Sequence, residues 1–108
     1  MVTLGKRNLR WSDLDMPNLD LVKLTTHFSY SKKAEGRSPK TVSFYEQTNT
    51  AFIKFLASKG KEAVLGEFSI DNVREFVVRQ QEQGMSPFTV QTRVRGLKTF
   101  GSWLASEG

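Results

Sequence analysis

The sequence predicts an all-α fold: four helices forming one compact domain as two crossed helical hairpins. The first observation behind this is an internal repeat. Gly84 to Gly108, GMSPFTVQTRVRGLKTFGSWLASEG, follows the plan of Gly36 to Gly60, GRSPKTVSFYEQTNTAFIKFLASKG, without a gap. The two stretches agree at ten of twenty-five positions: Gly36/Gly84, Ser38/Ser86, Pro39/Pro87, Thr41/Thr89, Val42/Val90, Phe52/Phe100, Leu56/Leu104, Ala57/Ala105, Ser58/Ser106 and Gly60/Gly108. The second observation is that these are the positions that define a helix. Ser38 and Ser86 can accept hydrogen bonds from the orphan N–H groups of a first turn. Pro39 and Pro87 follow at the first helical position, where a missing N–H costs nothing. Gly60 stands where a left-handed residue ends a helix. The third is composition: 108 residues, 38% hydrophobic, 25% charged and three prolines are ordinary for a single globular domain. Two copies are too few for a solenoid, so the repeat reads as two hairpins.

The first helix is predicted from Asn18 or Asp20 to about Glu35, with Leu21, Leu24, Phe28 and Ser31 on one face and Val22 and Thr25 on its flank. Gly36 stops it. Lys32, Lys33 and Arg37 crowd its C-terminal end. They either complement the helix dipole or contact phosphate. The second helix runs from Pro39 to about Ser58. Its apolar stripe is Val42, Tyr45, Phe52, Phe55 and Leu56, interrupted by Asn49, and its opposite face carries Lys40, Ser43, Gln47, Thr50 and Lys54. Phe44 lies on that polar side, as a surface aromatic or as a widening of the core. Lys61 to Glu67 is a short connection. Ser69 caps the third helix, Phe68 can staple onto Val73, and Ile70, Val73, Phe76 and Val77 form the expected buried stripe. Its charges, Asp71, Arg74, Glu75, Arg79 and Glu82, sum to −1, which marks a structural helix rather than an anion-binding one. Gly84 ends it.

The fourth helix is Pro87 to about Ser106, with Met85 placed to staple onto Val90. Val90, Val94, Leu97, Phe100 and Leu104 face the core and Trp103 lies on the flank. The opposite face reads Gln91, Arg95, Lys98 and Ser102, with Thr92 and Thr99 beside it; no acid occurs before Glu107. Arg93 is expected to lay its stem on the core and keep its guanidinium in water. Gly96 and Gly101 weaken the helix by roughly 1 kcal/mol each relative to Ala, so close helix packing is their expected reason. Before the first helix, Met1 to Asn18 has no sustained period and reads as a flexible leader. Within it, Trp11 and Leu14 either pack back on the domain or take part in binding.

The chain has no cysteine, which excludes disulfides and thiolate sites. No run approaches the roughly 20 apolar residues of a membrane span, and the start has no apolar signal region. A cytoplasmic location without membrane contact is the expectation. The lone His27 cannot build a metal site, no phosphate loop is present, and no nucleophile–base constellation is visible. No cofactor and no catalysis by this chain alone are expected. The net charge of +5 favours a polyanionic partner.

SPKTVSFYEQTNTAFIKFL, FSIDNVREFV and GMSPFTVQTRVRGLKTFGSWL, in that order, resemble the SAM-like N-terminal core-binding domain of tyrosine recombinases, the phage integrase family. The residues that carry the resemblance are Ser38, Thr41, Val42, Tyr45, Phe55, Leu56, Ile70, Asp71, Val73, Ser86, Thr89, Val90, Phe100, Trp103 and Leu104; Asn49 and Arg93 depart from the usual pattern. It covers about Leu19 to Gly108 and implies a four-helix SAM-like orthogonal bundle. It also implies that catalytic residues belong to a second domain, so neither Tyr30 nor Tyr45 is a nucleophile, and that the chain ends where a linker would begin. The implied partners are double-stranded DNA and, in a full-length protein on DNA, other recombinase protomers. Polarity and family together select Lys40, Ser43, Gln47 and Lys54 on the second helix as DNA-binding. They also select Ser86, Gln91, Thr92, Arg95, Lys98 and Ser102 at and along the fourth. The alternative is a helical protein–protein interaction module.

Overall fold

The computed structural model describes residues 16–107. Residues 1–15, including Trp11 and Leu14 of the expected leader, lie outside that range. Four α-helices follow one another: α1 (Leu21–Ala34), α2 (Pro39–Ser58), α3 (Ile70–Glu82) and α4 (Pro87–Glu107), with 3-10 turns at Met16–Asn18 and Leu65–Glu67. The bundle consists of the hairpins α1–α2 and α3–α4, joined where α2 packs against α4.

Local chemistry sets each boundary. The carboxylate of Asp20 accepts from the Val22 N–H at 2.9 Å and starts α1. Ser38 Oγ accepts from Thr41 N and donates to Thr41 Oγ1; Ser86 does the same with Thr89, at the same 3.2 and 3.0 Å. Ser69 Oγ caps α3 through Asn72 N at 3.2 Å. The helices stop at Gly36, Gly60 and Gly84, whose φ of 82°, 71° and 82° is the left-handed conformation that glycine adopts without strain. The start of α1 is tied to the α2–α3 connection by Leu21 N to Ala63 O, 2.9 Å, and Leu65 N to Leu19 O, 2.8 Å.

An aromatic cluster fills the centre. The fully buried Phe28 ring meets Tyr45, Phe100 and Trp103 edge-on at centroid distances of 5.2, 5.3 and 5.6 Å. Phe52 does likewise with Phe68 and Phe76. Phe68 therefore does more than staple a helix start; its ring bridges Phe52 on α2 and Phe100 on α4. Phe44 lies against Gly96 and Tyr45, which settles it as a widening of the helix contact.

Several expected faces are corrected. Ile70 is 70% exposed; the buried residues of α3 are Asn72, Phe76 and Gln80, so its inward face is rotated away from Ile70. Asn72 tolerates burial because its hydrogen-bonding groups are used. Its amide donates to Glu67 O and Oε1 at 2.8 Å, and its Oδ1 accepts from Lys61 Nζ at 2.5 Å. On α1 the buried polar residues are Ser29 and Lys32, whereas Ser31 is half-buried. Lys32 Nζ sits 3.4 Å from Glu35 Oε1 and 5.5 Å from the Phe28 ring centre, and Arg37 Nε lies 3.5 Å from Glu35. Of the two readings of that cluster, local stabilisation of the helix end accounts for these two cations.

Candidate nucleic-acid interface

The cations divide into those held by partners and those left to solvent. On α3, Arg79 donates from Nη1 to Ser58 Oγ at 3.2 Å and stacks 5.2 Å over the Phe55 ring. Glu75 pairs with Lys59 at 2.9 Å, and that ammonium holds the Glu75 carboxyl below its ordinary value. These contacts fasten α3 to the end of α2. On α4, Arg93 is more constrained than its position implied: Nη1 donates to the buried Gln80 Oε1 at 2.7 Å and lies 3.6 Å from Met85 Sδ. By contrast, Lys40, Lys54, Arg95 and Lys98 form no ion pair among the described residues. A cation without a partner contributes little to folding and is free to meet an incoming phosphate.

A glycine of α4 sits at its close contact with α2. A Cβ on Gly96 would meet Phe44 Cε2 and Thr48 Cγ2 at 3.3 Å, so its absence lets α4 approach α2. Gly101 faces the Phe68 ring. With that side and the Val90–Leu97–Phe100–Leu104 stripe inside, Gln91, Arg95, Lys98 and Ser102 stand exposed along the outer side of α4. Thr92 is half-buried and its hydroxyl donates to Phe88 O at 2.7 Å, which leaves it a smaller polar role than its position implied.

The expected site residues gather in two places rather than one. A shallow concavity of about 450 Å³ brings together Ser43, Gln47, Thr50 and Lys54 of α2 with Arg93 of α4; Glu46 also lines it. Within it Gln47 Nε2 donates to Ser43 Oγ at 3.2 Å. Lys98 instead borders a groove of about 330 Å³ between α3 and α4, walled by Phe68, Ile70, Val73, Val94 and Leu97, with Arg74 as its other cation. Arg74 is thus a neighbour of the α4 face, although α3 as a whole reads as structural. Lys40 and Ser86 are exposed at the first turns of α2 and α4. Periodicity leaves Arg93 and Phe88 out of the site. Arg93 escapes because its repeat counterpart is Tyr45, on the flank of an apolar stripe; Phe88 escapes because it is apolar, although it precedes Arg95 by two turns.

Among the described residues no group of three or more His, Cys, Asp or Glu is placed to hold a metal ion. No described helix is long and apolar enough to cross a membrane. Comparison with curated proteins and with solved structures found no match. The family model for "Phage integrase, N-terminal SAM-like domain" matches residues 24–108, which takes in most of α1 and all of α2, α3 and α4. With that match over most of its length, this four-helix chain is a member of the phage integrase N-terminal SAM-like domain family.

Proposed function

We propose that the chain is the DNA-binding module of a site-specific tyrosine recombinase, holding one side of the core recombination site during DNA integration and recombination. In this reading residues 19–108 form the core-binding module and residues 1–18 precede it as a leader. Strand cleavage belongs to a separate catalytic domain, and the module works in the cytoplasm on double-stranded DNA beside other protomers. The observation that carries the proposal is the row of exposed polar groups along α4, Gln91, Arg95, Lys98 and Ser102, whose two cations form no ion pair among the described residues, in a chain whose family is established. An α-helix fits the major groove, where Gln and Arg read base edges and Lys neutralises phosphate. Lys40 and Lys54 on α2 add phosphate contacts beside it.

The test is a salt titration of duplex binding. The isolated chain should bind weakly, on the roughly 10⁻⁴–10⁻⁶ M scale of nonspecific contacts, and the logarithm of affinity should fall linearly with that of salt. Changing Arg95 and Lys98 to Ala should lower that slope by about 0.9 for each phosphate that is no longer neutralised. A charge-matched control is Lys23 and Lys59 to Ala; Arg74 is unsuitable because it shares a groove with Lys98. If the control pair weakens binding as much as the α4 pair, only overall charge acts and the α4 assignment falls. A second reading, a helical protein–protein interaction module, is favoured by the apolar α3–α4 groove with its exposed Ile70. Binding to a protein partner that is insensitive to salt, with no measurable DNA affinity, would select it instead.

A further inference from the structure

Phe88 is the one phenylalanine out of place. The chain has eight, and the other seven each pack against another aromatic ring: Phe28, Phe44, Phe52, Phe55, Phe68, Phe76 and Phe100. Phe88 is 76% exposed, the highest value among the described large hydrophobic residues. Among the described residues its ring enters no ring–ring or cation–ring contact. Leaving a phenyl ring in water forgoes the gain from burial, so no packing among the described residues accounts for Phe at this position.

Its place in α4 does. Phe88, Gln91, Thr92 and Arg95 are spaced i, i+3, i+4 and i+7, which puts them on one face of the helix. Phe88 stands on the first turn, immediately after Pro87, at the end of that face. The internal repeat points the same way. The residues of α2 at the places of Phe88, Gln91, Arg95 and Ser102 are Lys40, Ser43, Gln47 and Lys54, the polar row of that helix. In the first copy this position carries a cation; in the second it carries an aromatic ring flanked by hydrogen-bonding groups. No carboxylate lies on α4 before Glu107, so the face around the ring is complementary to a polyanion and not to a basic protein surface.

From this placement we propose that Phe88 is a specificity-determining residue that packs against a thymine methyl group in the major groove. This rests on the α4 face being the DNA-binding face. The C5 methyl of thymine is the apolar group that base pairs present in that groove, and apolar side chains including Phe are suited to it. Hydrogen-bonding residues further along the helix, Gln91 and Arg95, would read neighbouring base edges. The module therefore prefers a thymine where α4 enters the groove.

The experiment compares two synthetic duplexes that differ only in the methyl group: alternating adenine–thymine and alternating adenine–uracil of equal length, titrated into the full 108-residue chain by fluorescence anisotropy. The wild-type chain should bind the thymine duplex about fourfold more tightly, the effect of burying one methyl group. Phe88→Ala should bind both duplexes alike, at the wild-type level for uracil, and Phe88→Leu should retain part of the preference. Because Phe88 is exposed, both variants should keep the wild-type helical circular dichroism spectrum. If Phe88→Ala retains the thymine preference, or the wild-type chain has none, the proposal is overturned. The Arg95→Ala, Lys98→Ala variant separates it from the parent reading. It should weaken both duplexes while keeping their ratio. If it binds as tightly as wild type, the α4 face itself is wrong and Phe88 falls with it. If it weakens binding while Phe88→Ala leaves affinity and ratio untouched, the thymine assignment alone is overturned, and Phe88 serves another surface such as a protein partner.

Discussion

The two glycines of α4 make opposite predictions, and the contrast tests what orients the proposed DNA helix. Replacing either glycine by Ala removes the same backbone penalty, roughly 1 kcal/mol in a helix interior. Any difference between the variants therefore comes from the space each Cβ enters. At Gly101 the nearest atom is Phe68 Cε2 at 3.4 Å and the next lies at 3.8 Å, an ordinary contact. Gly101→Ala should raise stability by about 0.5–1 kcal/mol, or a few degrees in Tm for a domain of this size. At Gly96 the Cβ meets Phe44 Cε2 and Thr48 Cγ2, both at 3.3 Å, with Phe44 Cζ at 3.5 Å. The Phe44 ring is half-buried and can turn. Thr48 is 1% exposed and β-branched, so its methyl has few rotamers open to it. Relief must come from moving α4 off α2, and overpacking of that kind costs about 1–3 kcal/mol. Gly96→Ala should therefore be net destabilising by about 1 kcal/mol, placing the pair about 2 kcal/mol apart. Urea denaturation followed by circular dichroism measures this directly, with unchanged m-values as the check on two-state behaviour. Should Gly96→Ala prove as stable as Gly101→Ala, the close α2–α4 approach is not what demands glycine, and the orientation of the outer α4 face loses its physical basis.

Two further outcomes concern the polar contacts of α3. Asn72→Ala should cost about 1–3 kcal/mol, because it strips partners from Lys61 Nζ and from Glu67 at a buried site, while duplex binding stays at the wild-type level; a thermal melt and one anisotropy titration check both halves. Glu75 should titrate below its ordinary carboxyl value because of Lys59. A carboxylate lowered in the folded state contributes stability above its unfolded pKa and loses it as pH falls through the folded one. Carboxyl NMR titration should find the Glu75 midpoint below the ordinary glutamate value at low salt, and the gap should close at about 1 M salt, where surface pairs are screened. A midpoint that ignores salt would mean a cause other than Lys59.

How much was legible follows from how far apart the interacting residues lie. Ser38, Ser69, Ser86, Gly36, Gly60 and Gly84 act on backbone within a few positions, so caps and stops, and with them the helix ends, could be read from the residues alone. The long apolar stripes of α2 and α4 were equally plain, because four or five large residues at helical spacing leave one inward face. The stripe of α3 was misread through Ile70. Its inward face is set by Asn72 and Gln80, whose side-chain oxygens each accept from a group outside α3. Those groups, Lys61 in the α2–α3 connection and Arg93 on α4, lie 11 and 13 positions away and are brought up by the packing of those segments against α3.

For the site, the polar row of α4 was readable by itself, since an outer face is the complement of an inner one. What the packing decided is which cations remain free on it. Sequence position sets Arg79 on α3 and Arg93 on the flank of the α4 stripe, apart from Arg95, but names a partner for neither. Only the tertiary structure sets the first against Ser58 and Phe55 and the second against Gln80, leaving Arg95 and Lys98 outside any ion pair among the described residues. Periodicity gives a residue its side of a helix; its partner comes from another helix, whose distance and angle depend on the close contact at Gly96.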